Sequence, residues 1–285
     1  EEGAGMRDAQ GRRITYLRVS VTDRCNLRCR YCMPAEGLEW LPKAEILSYE
    51  EIAEIVRQLR PLGIRRVRVS GGEPTIRPGI EVLFRLLKDI PGIEDVALST
   101  NGVKLVQGAQ GWRDAGLDRV NLSVDSLRTA RLIEIARRDL GLDPVAAALA
   151  AERAGLEPVK INTVVMRGVN DDEVEDLARL TLYHPWHVRF IELMPVGEMS
   201  GLTGEHVVPS ADVLARCEAV LGVLTPADGP AGNGPAAYYR AVGAPATVGV
   251  ITPLSHTFCG ACNRVRLTAD GRLRTCLFGS HEVDF

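Results

Sequence analysis

The sequence lacks any long hydrophobic run, because no stretch approaches the 18 apolar residues typical of a membrane-spanning helix. Its first 20 residues include Glu2, Arg12 and Arg13 and contain no apolar segment like that of a signal peptide. Net charge is also small, since 34 lysines and arginines oppose 37 aspartates and glutamates and leave −3. Such a balance argues against duplex nucleic acid or a membrane as the main partner. We therefore expect a cytoplasmic protein in which any anion-binding site is local.

Cysteine is scarce, and seven thiols in 285 residues are too few for a disulfide scaffold. With 46% hydrophobic and 25% charged residues, the composition excludes disordered and fibrous classes. The length allows either one large α/β domain or two smaller ones. Six of the cysteines nevertheless fall in two tight groups, within residues 25–32 and 259–276. The seventh, Cys217, lies on an apolar helix-like run and is predicted to belong to the core.

Short runs rich in Val, Ile and Leu alternate with helix-like segments in the first two thirds of the chain, which is the rhythm of βα units. Ser48 and Glu51 form a capping box, and Asp143-Pro144 is typical of a helix start. Six βα units without a clear reversal of strand order favour a partial barrel over an open doubly wound sheet. The periodicity alone does not show whether the sheet closes into a barrel. The predicted strands are 16–21, 65–70, 95–99, 119–124, 159–165 and 188–193.

The rhythm changes beyond Gly197, and residues 226–235 are rich in Gly, Pro and Ala, which predicts an exposed loop. We therefore divide the chain into a partial barrel, 1–197, and a C-terminal region, 198–285. This region is expected to cover the open side of the barrel.

Asp270-Gly271 stands between two alternating segments near the end of the chain and predicts a β-hairpin. The hairpin would return Cys276 towards the other cysteines of its group. A strict two-residue turn would place Cys276 on the opposite face from Arg264 and Arg266, whereas a bulge or a three-residue loop would reunite them.

The first cysteine group, Cys25, Cys29 and Cys32, follows the first predicted strand closely enough for its thiols to converge on one metal centre. Three protein ligands leave one position open, which suits a catalytic or redox centre, whereas a structural zinc site needs four. The alternatives are a zinc site completed by a distant histidine and reduced thiols without metal.

The second group, Cys259, Cys262 and Cys276, also has three members and no fourth cysteine nearby. A structural zinc site completed by His256 is the main alternative here. The presence of the first triad in the same sequence argues against that alternative.

The segment CNLRCRYCMP at 25–34 resembles the signature of the radical S-adenosylmethionine (radical SAM) superfamily, and SGGEP at 70–74 resembles its amino-acid-binding motif. Further similarities are NRVR at 263–266, VKIN at 159–162 and RFIE at 189–192. Together they make the whole chain similar to the GTP 3′,8-cyclase family of molybdenum cofactor biosynthesis. This resemblance implies an incomplete (β/α)6 barrel of the radical SAM type.

The resemblance implies that Cys25, Cys29 and Cys32 hold a [4Fe-4S] cluster whose open iron binds S-adenosyl-L-methionine. Such an iron supplies the low-potential electron that reductive cleavage of a sulfonium needs. Glu73 can accept hydrogen bonds from an ammonium group, and we expect it to bind the same cofactor. The other positions that match cofactor contacts in the family are Tyr31, Gly72, Ser123 and Met194.

The same resemblance gives Cys259, Cys262 and Cys276 a second [4Fe-4S] cluster, whose open iron binds the purine of GTP. A triphosphate of about −4 charge also needs cations around it. The positions that match substrate contacts are Arg18, Ser99, Lys160, Arg264 and Arg266. Arg68 is a further candidate because it lies just before the glycine motif, and Arg66 and Arg189 are weaker ones.

The implied enzyme is a lyase in which a 5′-deoxyadenosyl radical abstracts the ribose 3′ hydrogen of GTP. The carbon radical then attacks C8 of guanine and gives (8S)-3′,8-cyclo-7,8-dihydroguanosine 5′-triphosphate. The implied partners are a low-potential electron donor, cyclic pyranopterin monophosphate synthase as the next enzyme, and a second copy in a homodimer. Family members also continue to a Gly-Gly tail that enters the active site, and nothing after Phe285 supplies it. Two rival readings are a radical maturase that modifies a peptide and a structural zinc protein.

Overall fold

A computed structural model of the protein describes residues 5, 7–8, 11–194, 202, 204–230, 234–277 and 282–284. None of the described helices combines the length and the hydrophobicity needed to cross a bilayer. The strands are β1 (Tyr16–Ser20), β2 (Arg66–Ser70), β3 (Asp95–Thr100), β4 (Arg119–Ser123), β5 (Lys160–Val165), β6 (His187–Glu192), β7 (Leu224–Ala227), β8 (Ala237–Ala241), β9 (Val248–Ile251), β10 (Arg264–Leu267), β11 (Arg272–Arg274) and β12 (Glu282–Asp284). The α-helices are α1 (Tyr49–Leu59), α2 (Ile80–Lys88), α3 (Leu105–Asp114), α4 (Thr129–Ala136), α5 (Pro144–Arg153), α6 (Val174–Tyr183) and α7 (Ser210–Leu221).

The twelve strands of the described residues form one sheet in the order β12-β11-β10-β1-β2-β3-β4-β5-β6-β9-β8-β7. The strands from β10 to β9 run parallel, and two antiparallel strands extend each edge. Strands β1 to β6 are neighbours in chain order, and a helix follows each of them, which confirms the α/β class and the six βα units. This order lacks the reversal of a doubly wound sheet. In the described residues β12 and β7 are not paired, so the barrel is incomplete.

The six predicted strands agree with β1 to β6 to within one residue at each end. The C-terminal strands join the sheet at both edges, β10 beside β1 and β9 beside β6, which the sequence did not indicate. The predicted boundary at 197–198 lies outside the described residues, and the division into two domains stays a prediction.

The two faces of the sheet differ because successive side chains of a strand point to opposite sides. On the face towards the helices, Leu17, Val19, Val67 and Val69 are fully buried and belong to the main hydrophobic core. Positions of the other parity carry the polar side chains discussed below. The core therefore lies between the sheet and its helices, and the opposite face is left for chemistry.

Both predicted helix starts are confirmed. In the capping box of α1, Glu51 N donates to Ser48 Oγ (3.1 Å) and Ser48 N donates to Glu51 Oε2 (2.7 Å). At α5, Ala146 N donates to Asp143 Oδ1 (2.9 Å), and proline is the first helical residue. Cys217 is fully buried in α7, as expected for a core residue.

The C-terminal hairpin has a three-residue loop instead of the strict two-residue turn. Arg266 pairs with Arg274, and Thr268 N donates to Arg272 O (2.9 Å) across the loop. Gly271 closes it with a φ of 88°, a left-handed conformation that favours glycine. The added loop residue shifts the register by one and puts Arg274 on the same face as Arg266. Cys276 lies two residues beyond β11, and its charge is among the causes that act on the pKa of Arg266, so the thiol is near that guanidinium group.

Candidate active site

The first cysteine triad lies in the loop after β1, at the carboxyl end of the parallel strands. Two backbone hydrogen bonds hold this loop against the end of α4. Arg28 N donates to Ala136 O (2.9 Å), and Arg30 N donates to Ile135 O (3.0 Å). The segment that carries the thiols is therefore fixed by main-chain contacts that do not involve the thiols.

The thiols of this triad are held in an environment that disfavours their anionic form. Burial raises the pKa of Cys25, Cys29 and Cys32, and it raises the pKa of Cys32 to about 12. The negative charges of Asp125 and of the neighbouring thiolates raise the pKa of Cys29 and Cys32 further. Three thiolates can coexist here only beside a positive centre. An iron-sulfur cluster ligated by cysteine provides one, so the donor set fits such a group.

The zinc alternatives gain no support from the geometry. In the described parts of the chain, no three His, Cys, Asp or Glu side chains are grouped so that they could hold a metal ion. His256 is exposed, and its Nδ1 lies 2.5 Å from Ser255 O. Neither triad is thus a preformed site for a single ion.

The glycine motif after β2 packs directly on the first cysteine loop. Gly72 N donates to Thr22 O (2.8 Å), and Glu73 N donates to Arg24 O (2.8 Å). A Cβ atom on Gly72 would lie 2.1 Å from Arg24 O, a distance that no side chain can adopt. Glycine is needed here because two backbone segments meet at hydrogen-bonding distance.

Glu73 is engaged by its own chain in the described structure, and the expectation that it also accepts from an ammonium group of the cofactor stays a prediction. Its side chain is 2% exposed. Oε1 accepts from Thr75 N (3.1 Å), Thr75 Oγ1 (2.6 Å) and Thr100 Oγ1 (2.7 Å), and Oε2 accepts from Asn101 N (2.7 Å). Burial raises the pKa of Glu73, and these hydrogen bonds oppose that shift. The carboxylate therefore ties the ends of β2 and β3 together.

A cavity that is partly open to solvent lies between the first cysteine loop and α4. Its lining includes Cys29, Tyr31, Ser123 and Asp125, together with apolar side chains of α4. Tyr31 and Ser123, both predicted cofactor contacts, thus come together. In the described structure Met194 lies beyond the end of β6 and lines neither this cavity nor the one described below.

The second triad lies at the opposite end of the parallel strands, because Cys259 and Cys262 precede β10, which runs parallel to β1. Burial raises the pKa of the Cys262 thiol, but hydrogen bonding from Arg264 and the charges of Arg264 and Arg12 outweigh it and leave the pKa lowered. Arg12 also donates from Nη1 to Cys259 O (2.6 Å). This triad therefore lies in a basic environment, in contrast to the first.

The inner face of the sheet carries a row of cations between the two triads. The strand registers place the side chains of paired residues on one face, from β10 through β1 to β6. The cations on this face are Arg18, Arg66, Arg68, Arg119, Lys160, Arg189, Arg264 and Arg266, of which Arg66 is paired with Glu94 (3.8 Å). Ser99, Asn121 and Asn162 share the face and add polar groups to it.

Burial and mutual repulsion act on these cations. Burial lowers the pKa of Arg68 to about 10 and that of Lys160 to about 6, with a further contribution from neighbouring guanidinium groups. Asp95 neutralises one charge through a bidentate pair with Arg119 (2.7 and 2.5 Å). Arg189 instead donates to two neutral asparagine side chains of the same face, at 2.7 and 2.8 Å. The face is therefore prepared for an anionic ligand.

A second cavity, also open to solvent, lies beside this face between β1 and the C-terminal hairpin. Arg18, Arg266 and Arg274 line it, with Ser70 and Gly71 from the end of β2. Arg274 pairs with Arg266 across the hairpin, so both guanidinium groups reach the same space. The sequence analysis did not single out Arg274, although the hairpin signal and its parity with Cys276 could have indicated it.

The other predicted substrate residues, Arg68, Ser99, Lys160 and Arg264, share the inner face but line neither cavity in the described structure. Two buried residues on or beside the site were also missed. Arg119 has the same strand parity as Ser123 and could have been found from it, and Asp125 belongs to the polar segment directly after β4, where side chains at the ends of parallel strands gather.

Comparisons with known proteins match the chain along its whole length. The sequence profile of the Radical SAM superfamily matches residues 19–181, and that of Molybdenum Cofactor Synthesis C matches residues 186–285. A GTP 3′,8-cyclase of Pelotomaculum thermopropionicum is 51% identical over 279 residues, 98% of this chain and 86% of that protein. A GTP 3′,8-cyclase of Heliobacterium modesticaldum is 50% identical over 283 residues, 98% of this chain and 85% of that protein.

Solved structures agree on the fold. The crystal structure of Streptococcus suis SuiB bound to S-adenosylmethionine has a TM-score of 0.64 at 15% identity and covers 95% of this chain. This chain spans 63% of the length of that one. The FeFe-hydrogenase maturase HydG of Carboxydothermus hydrogenoformans has a TM-score of 0.54 at 17% identity, covering 74% of this chain and 52% of that one.

Proposed function

Because the chain belongs to the radical SAM superfamily and, within it, to the GTP 3′,8-cyclase family, we infer that it is a lyase that uses S-adenosyl-L-methionine to cyclise GTP. The product is (8S)-3′,8-cyclo-7,8-dihydroguanosine 5′-triphosphate, and the reaction is the first step of molybdenum cofactor biosynthesis. Two [4Fe-4S] clusters serve the reaction.

The two cysteine triads lie at opposite ends of neighbouring parallel strands, and this placement supports the proposal independently of family membership. Cys25 and its partners follow β1, while Cys262 precedes β10, the parallel neighbour of β1. Strands of four to five residues separate the two ends by roughly 15 Å at about 3.3 Å per residue. The row of cations lies along this interval. A nucleoside triphosphate bound there has its purine and phosphates next to groups of the required chemistry.

We assign the substrate phosphates to the arginines that line the second cavity and to their neighbours on the inner face. Arg264 and Arg266 are two residues apart on β10 and share a face, and Arg18 pairs with Arg266 in the ladder. Arg18 Nε and Arg68 Nε are buried without a hydrogen-bond partner in the described residues, so both have a donor left for a ligand. Ser99 and Lys160 complete the polar face on which the nucleoside would lie.

We assign S-adenosyl-L-methionine to the first cavity, with Cys25, Cys29 and Cys32 as cluster ligands. When bound, the cluster supplies the electron for reductive cleavage. Tyr31 and Ser123 line the cavity and orient the cofactor, and its apolar walls exclude water from the radical. Gly72 and Met194 remain assignments from the resemblance, and Glu73 supports the cavity by fixing the ends of β2 and β3.

Anaerobic turnover tests the proposed function directly. Protein reconstituted with iron and sulfide should convert GTP, but not ATP, when S-adenosyl-L-methionine and a strong reductant are present. The product is identified by mass spectrometry, and 5′-deoxyadenosine is measured as the co-product. Formation of 5′-deoxyadenosine without a cyclised nucleotide, together with modification of an added peptide, would favour a peptide maturase. A colourless protein that holds zinc would contradict both readings.

The substrate assignment has a binding test of its own. Arg266→Ala removes a charge-assisted contact in a partly buried site, so we expect GTP affinity to fall by tens-fold. Guanosine carries no phosphate, and its affinity should stay within about twofold. An equal loss for both ligands would mean that Arg266 holds the purine or the fold.

We also propose a low-potential protein as electron donor, because reductive cleavage consumes an electron. Cyclic pyranopterin monophosphate synthase as the next enzyme and a homodimer follow from the family resemblance. A cytoplasmic location is supported by the free thiols of both triads, which a reducing compartment preserves. Pull-down with the synthase and the mass measured by light scattering test the two partner proposals.

A further inference from the structure

Tyr31, between two of the cluster cysteines, is held by a residue that neither sequence nor comparison assigns. Its hydroxyl donates to Asp125 Oδ2 (2.7 Å). Asp125 follows the end of β4 and is 7% exposed, and both residues line the first cavity. A hydrogen bond to a buried carboxylate is among the stronger ones in proteins. The contact therefore joins the cluster loop to the barrel wall across the cavity.

Asp125 itself cannot move freely. Its Oδ1 accepts from Val164 N (2.9 Å) in β5, so each carboxylate oxygen is used for a different element. Its main-chain oxygen accepts from Asn170 Nδ2 (2.7 Å), and the same amide group donates to Val164 O (2.9 Å). Asn170 is 1% exposed. The carboxylate is thus fixed relative to two strands before it meets Tyr31.

The residue after Asp125 is anchored as well. Ser126 Oγ donates to Glu173 Oε1 (2.6 Å), and Leu127 N donates to Glu173 Oε2 (2.8 Å). Glu173 is fully buried and also pairs with Arg131 (2.7 Å) at the start of α4. This network makes the loop after β4 a rigid support.

The cluster loop keeps its backbone contacts without Tyr31. Arg28 N and Arg30 N already donate to main-chain oxygens at the end of α4. The Tyr31–Asp125 bond is therefore an addition to a loop that is otherwise held. The bond determines where the aromatic ring lies relative to Ser123, which ends β4 and also lines the cavity.

We propose that Asp125 is a positioning residue that fixes the ring of Tyr31 and thereby shapes the cavity for S-adenosyl-L-methionine. The proposal deepens the proposed function, since it rests on that cofactor binding in this cavity. Asp125 acts through the tyrosine hydroxyl, so the two residues should behave as one unit in mutation.

The test measures cofactor affinity of anaerobically reconstituted protein by calorimetric titration with S-adenosyl-L-methionine. Tyr31→Phe removes only the hydroxyl, and Asp125→Asn removes the charge while keeping the size. Each single variant should bind S-adenosyl-L-methionine about tenfold less tightly than the wild type. The double variant should have the same affinity as the single variant that binds less tightly. The electron paramagnetic resonance signal of the reduced cluster should change less on cofactor addition in both variants. GTP affinity should stay within about twofold.

Tyr49→Phe is the matched control, because the Tyr49 hydroxyl also donates to a protein oxygen, Pro78 O (3.0 Å), on another side of the barrel. It should bind the cofactor like the wild type. Wild-type affinity in Tyr31→Phe, or additive losses in the double variant, would overturn the assignment. A lower melting temperature in Asp125→Asn with unchanged cofactor affinity would also overturn it. Wild-type protein that binds no S-adenosyl-L-methionine would instead overturn the proposed function, and this assignment with it.

Discussion

Replacing Gly72 by alanine tests the contact between the glycine motif and the first cysteine loop. The added Cβ would lie 2.1 Å from Arg24 O, whereas close carbon–oxygen contacts are about 3.3 Å or longer. The two backbones must therefore separate by about 1 Å. This movement breaks the hydrogen bonds from Gly72 N to Thr22 O and from Glu73 N to Arg24 O, each worth about 1 kcal/mol, and adds strain. We expect the free energy of unfolding to fall by about 3 kcal/mol.

Urea unfolding of reconstituted protein, followed by circular dichroism, measures this change, and iron analysis reports the first cluster. About half of the iron should be lost, since the displaced loop carries one of two clusters. Gly111→Ala is the control: Gly111 is exposed in α3, and its Cβ would meet no atom within 4 Å. That variant should be more stable by about 1 kcal/mol, because alanine favours helix over glycine. Unchanged unfolding and iron content in Gly72→Ala would refute the steric reasoning.

Three further predictions concern charge and the division of work between the triads. Burial, and then nearby guanidinium groups, lower the pKa of Lys160 to about 6, so between this pH and 10.5 the unfolded chain binds one more proton than the folded protein. The free energy of unfolding of the wild type should thus rise with pH relative to that of Lys160→Met, by up to about 1.4 kcal/mol per pH unit. Parallel plots of unfolding free energy against pH for the two proteins would contradict this. Arg274→Met should weaken GTP binding by about tenfold, because this arginine lines the second cavity. Arg272→Met is the control, since Arg272 also pairs with Glu282 but does not line that cavity, and equal GTP affinities of the two variants would count against Arg274. Cys29→Ser should abolish 5′-deoxyadenosine formation, while Cys262→Ser should still form 5′-deoxyadenosine but not cyclise GTP. If both variants lost 5′-deoxyadenosine formation equally while the other cluster stayed intact, the two triads would not have separate roles.

The strands and helix starts were predictable because their signals are local. Runs of five or six residues rich in Val, Ile and Leu mark β1 to β6. Ser48 and Asp143 mark the beginnings of two helices by side-chain chemistry alone. The two cysteine triads and the glycine motif are likewise short segments with a fixed chemistry. Such features need no knowledge of what packs against them.

Contacts between distant segments could not be predicted in the same way. The pairing of β10 with β1 joins residues almost 250 positions apart, and no periodicity in either strand specifies it. The buried role of Glu73 depends on Thr100 and Asn101 from the next strand. The hairpin register depends on a single loop residue, which determines that Arg274 shares a face with Arg266. Sequence patterns name the functional residues more reliably than they orient them.

The inner face of the sheet shows why a fold keeps side chains that do not stabilise it. Arg68 and Lys160 are almost fully buried, and burial lowers the pKa of both, which means that the surroundings oppose their charges. The apolar side chains of opposite parity, such as Val67 and Val69, make the core contacts. A bound polyanion reverses the balance, because it supplies the compensating charge at the same face. The repulsion and desolvation that these charges add to the free protein are relieved when the polyanion binds. GTP should therefore stabilise the protein against unfolding far more than guanosine does.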